Sequence, residues 1–288
     1  MSLYLVRHVW LAHQRRAWGS GVIFIMGLTF FTSCNNTPAP VANPSPIDVL
    51  AEQTLTIFAA ASLADAFQET GENFKARNAG VDLAFNFAGS QQLVQQLAQG
   101  ARADVLASAS LKAMQTATEA GTVDGAESQV FARNKLVVAF PKDNPAGLTR
   151  LQDLAKPGLK LVLAAKEVPA GQYALEFLDK ASHDPAFDLN FREKVLNNVV
   201  SYETDVRSVL SKVALGEVDA GIVYVTDFNT EKDSLSPLEI PAALNVIATY
   251  PIAPIKGSSQ ADLSLKFINF VLSADGQQIL AKYGFLSP

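Results

Sequence analysis

The chain has 288 residues, 49% of them hydrophobic and 18% charged, which is enough apolar material for two domains of ordinary size. Its formal net charge of −5 argues against a nucleic-acid partner. The single cysteine excludes an intrachain disulfide and speaks against a Cys-based metal site or nucleophile.

Arg7, Arg15 and Arg16 precede a short apolar run, Val22 to Phe31. That is a charged segment followed by a hydrophobic one too short for a spanning helix. Thr32 and Ser33 then lead to Cys34. The stretch resembles a bacterial lipoprotein signal, although Phe31 stands where that signal usually carries Leu. The resemblance implies that residues 1–33 are removed and that Cys34 is lipidated and becomes the first mature residue. A soluble secreted protein cut nearby and an uncleaved anchor are the alternatives. Residues 34–52 hold Pro38, Pro40, Pro44 and Pro46 without apolar periodicity and read as an extended tether. Export to the periplasm or the outer face of the cell membrane follows, with a lipid anchor. Without the three arginines ahead of Cys34, 20 basic residues face 28 acidic ones, a net of −8. An anion would have to be held by local dipoles rather than bulk charge.

The folded part opens on a predicted strand, Leu55 to Ala61, that runs straight into a helix. Ser62 fits an N-cap, with Asp65 three residues on as the partner of a capping box. Leu63, Phe67, Thr70 and Phe74 follow at helical spacing. A small hydroxyl residue where a strand meets a helix suits an anion, though it suits simple capping as well. Val81 to Phe87 alternates as a strand, ends in Ala88-Gly89-Ser90, and precedes a helix from Gln91 to Gln99. A strand at 103–107 and a helix at 111–120 complete a βα series. Such a series predicts a mostly parallel, doubly wound sheet with ligands outside the carboxyl ends of the strands. Ser62 and Ser90 both fall there.

Lys135 to Phe140 reads as a strand crossing into a second domain. That domain has a helix near 151–154, a strand at 159–164, and Val168-Pro169-Ala170-Gly171 opening a helix through Tyr173, Phe177 and Leu178. Residues 184–190 read as a loop, 199–202 as a strand, and 203–207 as the start of a helix reaching Leu215. A strand at 219–224 returns toward the first domain. Another at 244–250 is expected to break at Pro251 and Pro254, and helices at 261–272 and 277–283 close the chain. The predicted division is domain I at 53–137 and 227–288, domain II at 138–226, and a ligand cleft between them.

Five stretches carry a family resemblance: Phe58-Ala59-Ala60-Ala61-Ser62-Leu63, Phe87-Ala88-Gly89-Ser90, Val168-Pro169-Ala170-Gly171, Asp205-Val206-Arg207 and Gly221-Ile222-Val223-Tyr224. In order and spacing the sequence resembles the periplasmic molybdate-binding proteins of ABC transporters, and Tyr283-Gly284-Phe285 resembles that family's C-terminus. The likeness implies an α/β, type II periplasmic-binding-protein fold: two doubly wound, mostly parallel domains joined by two crossing strands. It implies a monomeric, non-enzymatic carrier without a cofactor, which delivers molybdate or tungstate to a membrane permease. Molybdenum would enter only as the oxyanion. By motif, Ser62 and Ser90 would give hydroxyl and backbone N–H donors, Ala170 and Val206 backbone N–H groups, and Tyr224 a phenolic donor. Gly89 stands where some members have Ser.

The chemistry of these residue types agrees. A doubly charged oxyanion offers only acceptors, and hydroxyls and backbone N–H groups meet it without burying a cation. A cavity built for molybdate would leave the smaller sulfate with long hydrogen bonds. Arg207 is expected to pair with a carboxylate at the rim, Asp205 to cap its helix, and His183 to sit solvated in a polar loop. Asp104 is assigned no chemistry. Other readings are a carrier for another oxyanion such as sulfate, an exported hydrolase, and the sensing half of a transcription regulator. Phosphate would want an acceptor that these residues lack. The hydrolase lacks a Gly-x-Ser-x-Gly elbow, and the regulator lacks a basic DNA-binding helix.

Overall fold

The computed structural model describes residues 53–288, so the signal segment, the tether and Cys34 lie outside the described residues. Three βα units come first. β1 (Gln53–Ala60) leads through a short 3-10 turn at Ala61–Leu63 into α1 (Ala64–Arg77). β2 (Val81–Ala88) feeds α2 (Ser90–Ala98), and β3 (Val105–Ala107) feeds α3 (Leu111–Glu119). β4 (Gln129–Pro141) is the long strand of the sheet. After it come β5 (Leu161–Ala164), α4 (Pro169–His183), α5 (Phe191–Asn197), β6 (Val199–Glu203), α6 (Val206–Ala214) and β7 (Ala220–Tyr224). α7 (Val225–Thr230), β8 (Leu235–Glu239), β9 (Ile247–Pro254), α8 (Ala261–Leu272) and α9 (Ala274–Lys282) finish the chain.

The strand order is β2-β1-β3-β9-β4-β7-β5-β6, with β8 on the second half of β4. β1, β2 and β3 are mutually parallel, as are β5, β6 and β7. β4 links the two groups. Its first half pairs antiparallel with β9, and its second half pairs antiparallel with β7 and β8. This is a mixed, doubly wound α/β architecture.

Buried aromatic rings weld the helices to the first half of the sheet. Phe67 on α1 meets Phe131 at 5.7 Å and Phe267 at 5.9 Å, and Phe74 meets Phe267 edge-on at 5.4 Å. Each such ring contributes about 1.5–3 kcal/mol by leaving water.

Several expectations need correction. β9 does not break at its prolines. Pro251 faces Ser108, just past the last residue of β3, where no ladder donor is required of it, and its carbonyl accepts from Ser108 N–H at 2.9 Å. β8 contains Pro237 and pairs only with β4, which makes it an edge strand where a missing N–H is tolerated. β8 and the short helices α5 and α7 carry too little periodicity to be read from sequence. His183 ends α4 rather than lying in a loop, and it is exposed as expected, with Nδ1 2.7 Å from the Asp179 carbonyl. Asp104 is structural: it accepts from Thr56 N–H at 2.7 Å and from the Ser258 hydroxyl at 2.6 Å.

Candidate functional site

One narrow cavity opens at the carboxyl ends of all six parallel strands. Ala60 ends β1 and Ala61 and Ser62 follow it, Ala88 ends β2 and Gly89 and Ser90 follow it, and Ala109 follows β3. Val168 to Ala170 follow β5, Asp205 and Val206 follow β6, and Tyr224 ends β7. Ser62, Ser90, Ala170, Val206 and Tyr224 thus line a single space. The room in it for centring a water-sized sphere is about 10 Å³, which is the scale of one water or a small ion rather than an organic molecule.

The backbone explains the donors. Val206 is the first residue of α6 and Ala170 the second of α4, positions whose N–H groups have no partner within the helix. Pro169 at the first position of α4 has no N–H to leave unpaired. Asp205 caps α6 as expected, its carboxylate accepting from Ser208 N–H at 3.0 Å and from the Ser208 hydroxyl at 2.8 Å. That charge is turned onto the helix end.

Ser62 departs from expectation. It caps nothing, because Ala61 to Leu63 form the 3-10 turn and α1 starts later, at Ala64. Its hydroxyl is buried and meets the Tyr250 hydroxyl at 2.9 Å. Asp65, expected in a capping box with it, lies instead against Arg207. Ser90 is the first residue of α2, and its Oγ accepts from Ala109 N–H at 3.0 Å.

Tyr224 is 1% exposed, and its hydroxyl has no hydrogen-bond partner among the described residues. Burial pushes its phenol well above the usual tyrosine range, so it remains a donor. Leaving such a hydroxyl dry and unpaired costs about 1–3 kcal/mol, and an acceptor-rich ligand in the cavity would offset that cost.

Among the described residues no Lys, Arg or His lines the cavity. The nearby Arg207 faces away, as expected of a rim residue. Its Nη2 is 2.5 Å from Asp65, and its Nε is 2.6 Å from Asp227, the latter a charge contact rather than an aligned hydrogen bond. Asp227 is fully buried, and burial lifts its carboxyl to about 6 despite the guanidinium beside it. Two further contacts join the strand-end loops of the two sheet halves around the cavity. Gln91 Nε2 donates to the Thr204 carbonyl at 3.0 Å, and the Tyr173 hydroxyl donates to the Ala109 carbonyl at 3.3 Å. Gly89 sits at this seam, where a Cβ would stand 2.5 Å from the Thr204 oxygen.

Sequence reading missed Tyr250, Asn134 and Asp227. Each is a polar residue buried by its tertiary surroundings; Asn134 and Tyr250 sit inside strands with apolar neighbours, whereas nothing local marks Asp227.

The sequence matches the bacterial extracellular solute-binding protein family over residues 55–286. It is 35% identical to the molybdate-binding protein ModA of Mycobacterium tuberculosis (strain ATCC 25618 / H37Rv), covering 93% of this chain and 97% of that one. Solved structures share the fold, among them the following two. The periplasmic molybdate-binding protein of Azotobacter vinelandii aligns with a TM-score of 0.70 at 17% identity, covering 81% of this chain and 99% of that one. The sulfate-binding protein SubI of Mycobacterium tuberculosis H37Rv aligns with a TM-score of 0.72 at 17% identity, covering 81% and 86%.

Proposed function

Because this chain belongs to the bacterial extracellular solute-binding protein family, and within it is akin to ModA, we propose that it captures molybdate outside the cytoplasm and delivers it to an ABC permease. The observation that carries this reading is the donor set at the six strand ends. Ser62, Ser90 and Tyr224 offer hydroxyls, Ala170 and Val206 offer backbone N–H groups, and among the described residues no cation lines the cavity. A tetrahedral dianion with four acceptor oxygens fits such a ring, and its charge is spread over neutral dipoles. The orphaned Tyr224 hydroxyl supports the same reading. Tungstate has the same charge and shape and would bind by the same contacts.

The shared fold does not choose the ion, since the two structural neighbours carry molybdate and sulfate in their names. The relative at 35% identity favours molybdate. The remaining parts of the proposal are a two-lobed monomer that closes on the ion, with lobes at 53–137 with 227–288 and at 138–226, and a lipid anchor at Cys34. Among the described residues no helix is long and apolar enough to cross a membrane.

Calorimetric titration with molybdate, tungstate, sulfate and phosphate tests the reading. Binding of the first two with sulfate and phosphate silent is the expected result. Binding of sulfate alone would move the assignment to the smaller ion, and silence with all four would overturn it.

A further inference from the structure

We propose that Asn134 and Tyr250 are positioning residues that fix the direction of the Ser62 hydroxyl, forcing it to donate into the cavity. The proposal rests on the oxyanion reading of that site and adds to it a reason for selecting fully deprotonated anions.

The argument begins at a group that cannot reverse its role. The backbone N–H of Lys135 donates to Asn134 Oδ1 at 2.9 Å, and this fixes which way the amide faces. Asn134 Nδ2 therefore points to the Thr226 hydroxyl at 2.8 Å and to the Tyr250 hydroxyl at 3.4 Å. An amide nitrogen only donates, so the Tyr250 oxygen accepts there and keeps its own proton for Ser62 Oγ, 2.9 Å away. Ser62 Oγ then accepts from Tyr250, and its remaining proton is left for the cavity it lines. Asn134, Tyr250 and Ser62 are all buried, so water does not compete for these positions.

Ser90 reaches the same state by a shorter route, because its Oγ accepts directly from Ala109 N–H at 3.0 Å. Both serines thus have one acceptor position filled from behind. A ligand that carries an O–H group meets a donor at each of them and loses a hydrogen bond, whereas molybdate or tungstate meets two matched partners. The relay is also mechanically fixed. The Tyr250 ring is held edge-on by Phe131 at 6.2 Å and by Phe285 at 5.4 Å. Phe285 is brought there by a left-handed turn at Gly284, φ +94°, where a side chain would be strained.

The test is a double-mutant cycle read by calorimetry with sodium molybdate on the full chain. Tyr250→Phe is expected to weaken binding about tenfold when Ser62 is present, and less than about twofold in a Ser62→Ala background, because the lost hydrogen bond acts through Ser62. The ratio of molybdate to hydrogen phosphate affinity should also narrow in Tyr250→Phe, since Ser62 is then free to accept. Asn134→Asp provides a second route if Tyr250→Phe does not fold. It keeps the phenol but offers it an acceptor, drawing its proton away from Ser62, and should weaken binding only when Ser62 is present. Equal losses in both backgrounds, or unchanged affinity in the single variants, would overturn the relay while leaving the oxyanion reading in place. A wild type that ignores molybdate would remove both.

Discussion

Arg207 holds Asp65 at 2.5 Å with one nitrogen and Asp227 at 2.6 Å with another, so one side chain on α6 ties down α1 and α7 together. The two carboxylates are unequal. Asp65 is 41% exposed, while Asp227 is sealed from solvent.

That inequality sets the size of two mutations. Asp65→Ala removes a partly solvated pair and should cost less than about 1 kcal/mol of stability. Arg207→Ala strands a buried carboxylate and should cost about 3 kcal/mol or more, part of which Asp227→Asn recovers in the double variant. Urea unfolding of the four proteins measures this, and equal effects of Asp65→Ala and Arg207→Ala would contradict it.

Asp227 also gives the stability a pH dependence. Burial raises its carboxyl from an ordinary 3.8 to about 6, against the pull of Arg207. A raised carboxyl pKa means that the folded chain binds the proton more tightly than the unfolded one. The stabilising contribution is therefore fully present below about pH 4 and lost as pH rises through 6. The stability of wild type relative to Asp227→Asn should fall by about 1–3 kcal/mol between pH 4 and pH 7. Parallel pH profiles for the two proteins would rule this out.

The cavity donors predict a graded loss of molybdate affinity. Ser62→Ala, Ser90→Ala and Tyr224→Phe each remove one hydroxyl, and each should weaken binding by about 1–3 kcal/mol. Tyr224→Phe should leave the ligand-free chain as stable as wild type or more so, because its hydroxyl has no partner among the described residues. Calorimetry with thermal unfolding separates the two effects, and full affinity in both serine variants would dismiss the site.

Gly89 tests whether the strand-end loops must meet for binding. A methyl group there would collide with the Thr204 carbonyl at 2.5 Å. Gly89→Ala should reduce affinity by about 1–3 kcal/mol, because the clash holds the two loops apart. An unchanged molybdate titration would show that the seam can widen at no cost.

How much of this was readable in advance depended on where each residue takes its meaning. The helix starts at Ala170 and Val206 have local signals, Pro169 in one case and the Asp205 cap in the other, so their free N–H groups could be placed from sequence. The βα order likewise placed Ser62 and Ser90 at strand ends. Ser62 was misread as a cap because local sequence offers it a helix, while the fold offers it Tyr250, 188 residues away. β9 was cut short because proline normally breaks a ladder, whereas here Pro251 faces Ser108, just past the end of β3, where no donor is demanded. Asp227 has no local signature at all. It lies in a six-residue helix, and its significance comes from Arg207.

Among the described residues no lysine, arginine or histidine lines the cavity wall, and this has a kinetic consequence. A chain of formal charge −5 repels a dianion at long range, and the nearby Arg207 is already neutralised by Asp65 and Asp227. Added salt screens the repulsion, so capture should quicken as ionic strength rises, while release, set by short hydrogen bonds inside, should hardly respond. A binding site built on arginines would show the reverse, drawing its ligand in fastest in dilute solution.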